Sequence, residues 1–493
     1  MNFTRRCLLM MVGCCAAASI SSQDSSPNIL FIYSDDQASW TVGGSGNPEA
    51  YTPNLDLLIS EGAYLTDNFV TTPVCSPARA SIMTSRYASE LDLLDFIPQP
   101  GHILYDSLHP LGLSPDITTF PEVLQAAGYR TGLIGKWHLG DWTESNDRRF
   151  HPTNHGFDYF MGLTGGGTSP DNPTLEKDGQ VNTFPGLTTD ILTNEALAFI
   201  EASRESPFLL CLHYRAPHAA WLPVAPEDWA PYENLDPRLP NPDYPDLDTA
   251  KAKGRMREYL ASTTGVDRNV GRLLKRLEDL GLADNTIVVF TSDHGYNMGH
   301  NGIEHKGNGI WITTTLPPGT PDVPPKRRPN LYDNSLKVPA IVRWPGRVPA
   351  GLVIDRATTS LDWYPTILAL AKAEAPAGTV VRGRNLQPLL LGDTVDNWNE
   401  DVYAEYSMIN YATAYLRSYR TSQWKLVIDF NDRSRDELYN VGKDPEENIN
   451  LIRHDQEEVL RIQALLEGEI LAQMKAIGDP LLQKLAESTD NRK

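Results

Sequence analysis

Asn28-Ile-Leu-Phe-Ile-Tyr-Ser-Asp-Asp36 is an unbroken apolar run that ends in a hydroxyl and two carboxylates. A strand covered on both faces carries apolar side chains at consecutive positions, so the run predicts a β-strand inside a parallel sheet. Neighbouring side chains on a strand point to opposite faces. Asp35 and Asp36 can therefore reach one site only where the strand has ended and the chain turns, and together they offer oxygen ligands to a hard cation. The same pattern recurs three times: 129–134 leads into Gly135-Lys136-Trp137-His138-Leu139-Gly140, 207–214 into Ala216-Pro217-His218, and 285–291 into Ser292-Asp293-His294-Gly295. Ligands of open α/β sheets bind beyond the carboxyl ends of the strands, so four such runs predict one polar site along one edge. Lys136 and His138 are two apart at a strand end and can meet one anion. His213 lies inside its strand and reads as a core histidine, whereas His218, past the end, is the better candidate for chemistry. Helices are predicted over 117–128, with Thr118 or Thr119 at the N-cap, and over 188–203 and 258–280.

One further stretch carries a thiol: Cys75-Ser-Pro-Ala-Arg79. Pro77 stops a strand from continuing, and the small residues with Ile82-Met83 predict a helix. Cys75 then opens that helix, where free N–H groups and the macrodipole favour an anion, with Arg79 one turn on and on the same face. Taken alone, the thiol reads as a buried structural cysteine beside a turn.

The chain has 493 residues, 41% of them hydrophobic, which suits a large α/β domain with a smaller companion. Forty-three basic against 63 acidic residues give a formal charge of −20, which excludes nucleic acid as a partner and requires a local cationic pocket for any anionic substrate. Residues 1–23 read as a secretory signal peptide, with Arg5-Arg6 before the apolar run Cys7 to Ile20 and small residues at Ala16-Ala17-Ala18. The run is too short to span a bilayer. Thr4-Arg5-Arg6 allows a twin-arginine signal, and Met11-Val12-Gly13-Cys14 is a loose lipobox that allows a lipid anchor on Cys14. Export, to periplasm or exterior, is thus the expected destination. Three of the five cysteines fall in this segment, so the mature chain has Cys75 and Cys211 and no disulfide framework.

A catalytic domain is expected over 27–380 and a small domain over 381–493, where aromatic-rich segments predict antiparallel strands and a helix of roughly 30 residues follows from Asp455. Residues 160–190 read as a long loop over the site, 221–248 as a surface lid, and 313–329 as a Pro-rich insertion whose basic cluster Lys326-Arg327-Arg328 reads as a solvated run.

Jointly, Ser34-Asp35-Asp36, Cys75-Ser-Pro-Ala-Arg79, Gly135-Lys136-Trp137-His138-Leu139-Gly140, Ala216-Pro217-His218, Ser292-Asp293-His294-Gly295, and Glu437-Leu-Tyr-Asn440 before Asp444-Pro-Glu-Glu-Asn448 resemble the type I sulfatases. The resemblance implies an alkaline-phosphatase-like mixed sheet sandwiched by helices, with a smaller C-terminal antiparallel sheet and helix. It implies a sulfuric ester hydrolase in which a maturation enzyme converts Cys75 to formylglycine, whose hydrated aldehyde attacks sulfur. Asp35, Asp36, Asp293 and His294, with residue 75, would hold a divalent cation, usually calcium, with magnesium or manganese as alternatives. Arg79, Lys136, His138 and His218 would surround the sulfate, His218 protonating the leaving alcohol and His138 helping to expel sulfate. His294 stands where many members carry Asn, and nitrogen is softer than calcium prefers. The spacing Asp293-His294-Gly295…Gly299-His300…Lys306 resembles members that place the second sulfate-binding lysine there, which selects Lys306 over Lys326 or Arg328. The three insertions and the signal peptide suggest a pocket for a sulfated sugar of a polysaccharide. Rival readings are a phosphomonoesterase or phosphodiesterase of the same superfold, which needs Ser or Thr as nucleophile, and a catalytically dead glycan-binding homologue.

Overall fold

The four apolar runs lie side by side. In the computed structural model, which describes residues 26–106, 108–140, 148–163, 165–316, 323 and 326–490, the strands Asn28–Ser34, Arg130–Lys136, Phe208–His213 and Thr286–Ser292 are parallel neighbours in one ten-stranded sheet. The readings made of residues 1–23 lie outside the described residues, as do 317–322, 324 and 325 of the Pro-rich insertion. The strand order by residue range is 352–354, 63–65, 340–343, 286–292, 28–34, 208–213, 130–136, 159–163, 174–177, 180–183. The strands from 286–292 to 159–163 are parallel, 340–343 is antiparallel to both its neighbours, the edge pair 352–354 and 63–65 is parallel, and 174–177 and 180–183 are antiparallel. Register aligns the ends: Tyr33 and Gly135 both pair with His213, and Ser34 pairs with Ser292. Asp35, Lys136 and Asp293 are thereby delivered to the same edge.

Alternation along the central strand explains the layers. Phe31 and Tyr33 pack with Phe120, Trp363 and Tyr364 on one face, while Leu30 and Ile32 pack with Phe199, Val266 and Val270 on the other. Each fully buried side chain of this kind contributes roughly 1.5–3 kcal/mol. The helices Cys75–Thr84, Phe120–Ala126 and Trp363–Ala371 belong to the first layer, and Thr188–Ala202 and Thr249–Asp279 to the second. Thr119 caps the Phe120–Ala126 helix, in a reciprocal bond with Glu122.

Toward the C-terminus the strands Val402–Met408, Ala414–Arg420, Lys425–Asp429 and Glu437–Tyr439 form an antiparallel meander. One face carries the helix Glu457–Ile477 through Val459, Ile462, Leu466 and Ile470. The other shares a core with Phe69, Val70, Val74 and Leu331 of the main body.

Several expectations need correction. The 258–280 helix begins at Thr249, because Asp248 accepts the Lys251 N–H and caps a first turn whose Lys and Arg hide the apolar stripe. The C-terminal helix breaks at Gly478, which is left-handed, and Asp479 turns inward to Arg417 before a second helix starts at Pro480. Residues 160–190 are not one loop: Thr174–Lys177 and Gln180–Thr183 form an edge hairpin, leaving the glycine run to face the site. The 221–248 stretch is no lid, since Trp221 and Tyr232 pack against Met256, Tyr259 and Tyr296. Arg328 is not solvated; it is buried, ion-paired with Glu437 of the C-terminal sheet, and donates to Tyr332 Oη at 2.9 Å.

Breaking a buried ion pair leaves an uncompensated charge, which costs about 3–5 kcal/mol. Arg328→Met should lose stability on that scale in urea unfolding, and Arg328→Met with Glu437→Leu should recover most of it. Equal midpoints for Arg328→Met and the parent would contradict the pairing.

Candidate active site

Cys75 opens a helix whose residues are all buried, and its thiol lines a cavity of about 510 Å³. Lys306 lies at the turn between the strands Ile303–His305 and Asn308–Trp311, a turn tied down by the Gly307 N–H on the Pro73 carbonyl at 3.0 Å and by Asn330 Nδ2 on the Lys306 carbonyl at 2.9 Å. That turn brings Lys306 Nζ to 2.9 Å from Cys75 Sγ and 2.5 Å from Asp36 Oδ1.

Around the thiol lie three buried carboxylates. Asp35 Oδ2 accepts from Lys136 Nζ at 2.6 Å. Asp36 takes a left-handed backbone, φ 65°, which turns the chain so that its N–H donates to Asp293 Oδ1 at 3.0 Å. Asp293 Oδ2 meets Arg79 at Nε, 3.1 Å, and at Nη2, 3.0 Å. Arg79 also donates from Nη1 to the Lys136 carbonyl at 3.0 Å and covers the Tyr33 ring. Burial opposes ionisation of Asp35, but Lys136, His218 and Arg79 hold its carboxyl well below the usual range. For Asp293, burial and the neighbouring Asp35 charge prevail and push its carboxyl up to about 7.

The imidazoles are set by their backbone partners, because a carbonyl can only accept. His294 Nδ1 donates to the Gly295 carbonyl at 3.1 Å, so its Nε2 lone pair faces Asp36 Oδ1 at 3.2 Å and Asp293 Oδ1 at 3.4 Å. His138 donates from Nε2 to the Ile97 carbonyl at 2.9 Å, leaving Nδ1 bare and buried. His218 donates from Nδ1 to the Ala219 carbonyl at 2.6 Å, leaving Nε2 as its free nitrogen. Burial lowers His138 well below the ordinary histidine value and His218 to about 4, the latter against the pull of Asp36 and Asp35. Gly166 closes over this wall; a Cβ there would stand 3.0 Å from the His138 ring.

A lone pair aimed at carboxylate oxygens is repulsive unless a cation lies between them. One donor atom from each of Asp35, Asp36, Cys75 and His294 falls within 4.8 Å of the others, and Asp36 Oδ2 is buried without a partner. The donor set of Asp35, Asp36, His294 and residue 75 fits a divalent ion, while Asp293, also expected as a ligand, lies beside that cluster with Oδ1 on the Asp36 N–H and Oδ2 on Arg79.

Thus Cys75, His138, His218 and Lys306 share the cavity wall, while Arg79 and Lys136 stand behind it on the carboxylates. Lys326 is exposed and does not line the cavity. Sequence reasoning missed Arg215, His305, Asn308 and an aromatic group made by Phe96, His102 and Tyr411. His305 and Asn308 flank Lys306 and could have been read from it. Tyr411 comes from the hairpin loop of the C-terminal sheet, which no local motif connects to Cys75.

Comparison with known proteins gives the following. Residues 27–373 match the family model described as Sulfatase, and 326–476 match that described as N-sulphoglucosamine sulphohydrolase, C-terminal. The chain is 30% identical over 478 residues to steryl-sulfatase of Rattus norvegicus, covering 81% of this chain and 76% of that one. It is 26% identical over 507 residues to N-acetylglucosamine-6-O-sulfatase of Bacteroides thetaiotaomicron, covering 86% and 82%. A protein solved in complex with its substrate D-glucosamine-2-N,6-O-disulfate superposes with a TM-score of 0.76 at 25% identity, over 92% of this chain and 99% of that one.

Two outcomes follow from the geometry. Lys306→Ala should lose on the order of a hundredfold or more in kcat/KM, mostly in kcat, with Lys326→Ala near the parent; the reverse ranking in steady-state kinetics would contradict the assignment. Whichever of calcium, magnesium and manganese binds chelator-stripped protein in calorimetric titration should bind more weakly as pH falls, because the carboxylate and imidazole donors of the cluster must be deprotonated to hold it. An affinity constant between pH 8 and 5 would contradict that.

Proposed function

The chain belongs to the sulfatase family and is a sulfuric ester hydrolase; from that premise we propose that its substrate is a sulfated sugar of a polysaccharide, cut by a formylglycine made from Cys75 beside a bound calcium ion. The observation that carries this reading is Cys75 at a helix start with the Lys306 ammonium 2.9 Å from its sulfur and His138 and His218 in the same cavity.

The aldehyde hydrate supplies an oxygen nucleophile that a thiol lacks, and the cation supplies positive charge for the sulfate oxygens. Lys306 adds a compact positive charge where anionic charge grows as the ester bond breaks. His218 Nε2 is the one free nitrogen of that ring, so it is the atom that takes up a proton and delivers it to the leaving oxygen. His138 Nδ1, bare and buried in the same wall, is suited to accept a proton from position 75.

The sugar reading is supported by the cavity's mix of surfaces. Phe96, His102 and Tyr411 offer ring faces, with ring centroids 5.4–6.3 Å apart, to the C–H face of a pyranose, and Gln99, Ser169 and Asn308 offer hydrogen-bonding groups. A sterol would leave those polar groups without partners. Export by the segment 1–23 and modification by a formylglycine-generating enzyme belong to the same proposal. Among the described residues no helix is long and apolar enough to cross a membrane.

Intact-peptide mass spectrometry of protein from its own host should find an aldehyde at position 75, and Cys75→Ala should abolish turnover with little loss of stability. An unmodified, alkylatable thiol in fully active enzyme would overturn the nucleophile. On a panel of sulfated oligosaccharides the enzyme should release sulfate; activity on aryl sulfates alone would overturn the sugar reading, and faster turnover of phosphate esters would favour the phosphatase class.

A further inference from the structure

Arg215 lies two residues past the Phe208–His213 strand, 3% exposed, in the wall of the cavity that holds Cys75 and His218. Among the described residues every other guanidinium buried to that degree has a carboxylate: Arg79 has Asp293 and Arg417 has Asp479, and the slightly less buried Arg328 has Glu437. Arg215 has none within ion-pair distance among the described residues. Its hydrogen bond is from Nη1 to the Ala220 carbonyl at 2.5 Å, and its Nε is buried without a partner. Burial pushes its pKa down to about 10, with Asp35 and Asp36 only partly opposing this. A buried cation with neither counter-ion nor full hydrogen bonding carries an unrelieved desolvation cost, and a binding site is where a ligand relieves it.

The place of Arg215 narrows the ligand. The His218 N–H donates to the Arg215 carbonyl at 3.0 Å, so the two residues are fixed together on the side where the leaving oxygen is protonated, while Lys306 and the carboxylate cluster serve the ester being cut. We propose that Arg215 is a specificity-determining residue that binds a second anionic group, a sulfate or carboxylate on the leaving sugar or the next one. This rests on the sulfated-sugar reading above. A forked guanidinium pairs with either anion through two parallel N–H bonds, so the preferred substrates carry another anion close to the ester that is hydrolysed.

The test compares kcat/KM for matched oligosaccharides that differ in one extra group: a second sulfate in one arm, a uronate carboxylate in the other. The parent enzyme should favour at least one dianionic partner, and Arg215→Gln should collapse that preference by on the order of 10–100-fold, with partial recovery in Arg215→Lys; the arm that collapses names the anion. A preference ratio that Arg215→Gln leaves unaltered would overturn the proposal. A second measurement needs no substrate: ligand-free Arg215→Met should melt at or above the parent temperature, because it removes an uncompensated charge. A fall of more than about 3 °C would make Arg215 a structural residue and overturn the proposal. Should the parent release sulfate from no sugar, the sugar reading fails, and the melting comparison still decides whether Arg215 is an unpartnered cation.

Discussion

Three carboxylates buried at the end of a parallel sheet are the constraint that the rest of the site answers to. Asp35, Asp36 and Asp293 are each 0–1% exposed, and like charges in a dry space repel strongly. The fold meets this with cations from three separate elements: Lys136 from the end of the 130–136 strand, one strand removed from 28–34, Arg79 from the helix that Cys75 opens, and Lys306 from a hairpin turn. Two of these cations also do a second thing. Arg79 ties the helix to the Lys136 carbonyl, and Lys306 reaches the thiol. Holding the carboxylates together therefore aims the Cys75 helix, and the aim of that helix places position 75 against the cavity.

The C-terminal sheet is part of that construction rather than an appendage. Lys425 bridges Asp333 and Glu447 at 2.8 and 2.6 Å, fully buried, while Arg420 reaches Asp333 from the adjacent strand at 3.0 Å. With the shared apolar core around Val74, these pairs press the sheet onto the segment that leads into Cys75. Asn410 then donates to the Phe96 carbonyl at 2.7 Å, which brings Tyr411 to the cavity rim. One face of the rim thus comes from a part of the chain more than 300 residues from Cys75, and its side chains can vary without disturbing the sheet edge.

What could be read before folding was whatever depends on near neighbours. Consecutive apolar residues marked the four parallel strands, and abrupt endings in Asp, Lys and His marked the edge they share. Cys75 and Lys306 were singled out through motifs that resemble those of sulfatases, because taken alone the thiol reads as a structural cysteine and the glycines before Lys306 say only that the backbone there can approach closely. Arg328 was misread because its burial is decided by Glu437, 109 residues away, and a basic run looks the same whether solvent or a carboxylate receives it. Trp221 and Tyr232 were misread for the same reason, since their partners on the long helix are not visible locally. Arg79 and Lys136 carry the charge an anion site needs, yet nothing local says that carboxylates meet them first.

The most direct test of the account is the bond that breaks. The proposed reaction is attack at sulfur from position 75, with His218 protonating the departing oxygen. Hydrolysis of a sulfated sugar in ¹⁸O-enriched water, with both products analysed by mass spectrometry, should put the label in the released sulfate and leave the sugar hydroxyl unlabelled. Label in the sugar hydroxyl would mean cleavage of the carbon–oxygen bond and would contradict the account.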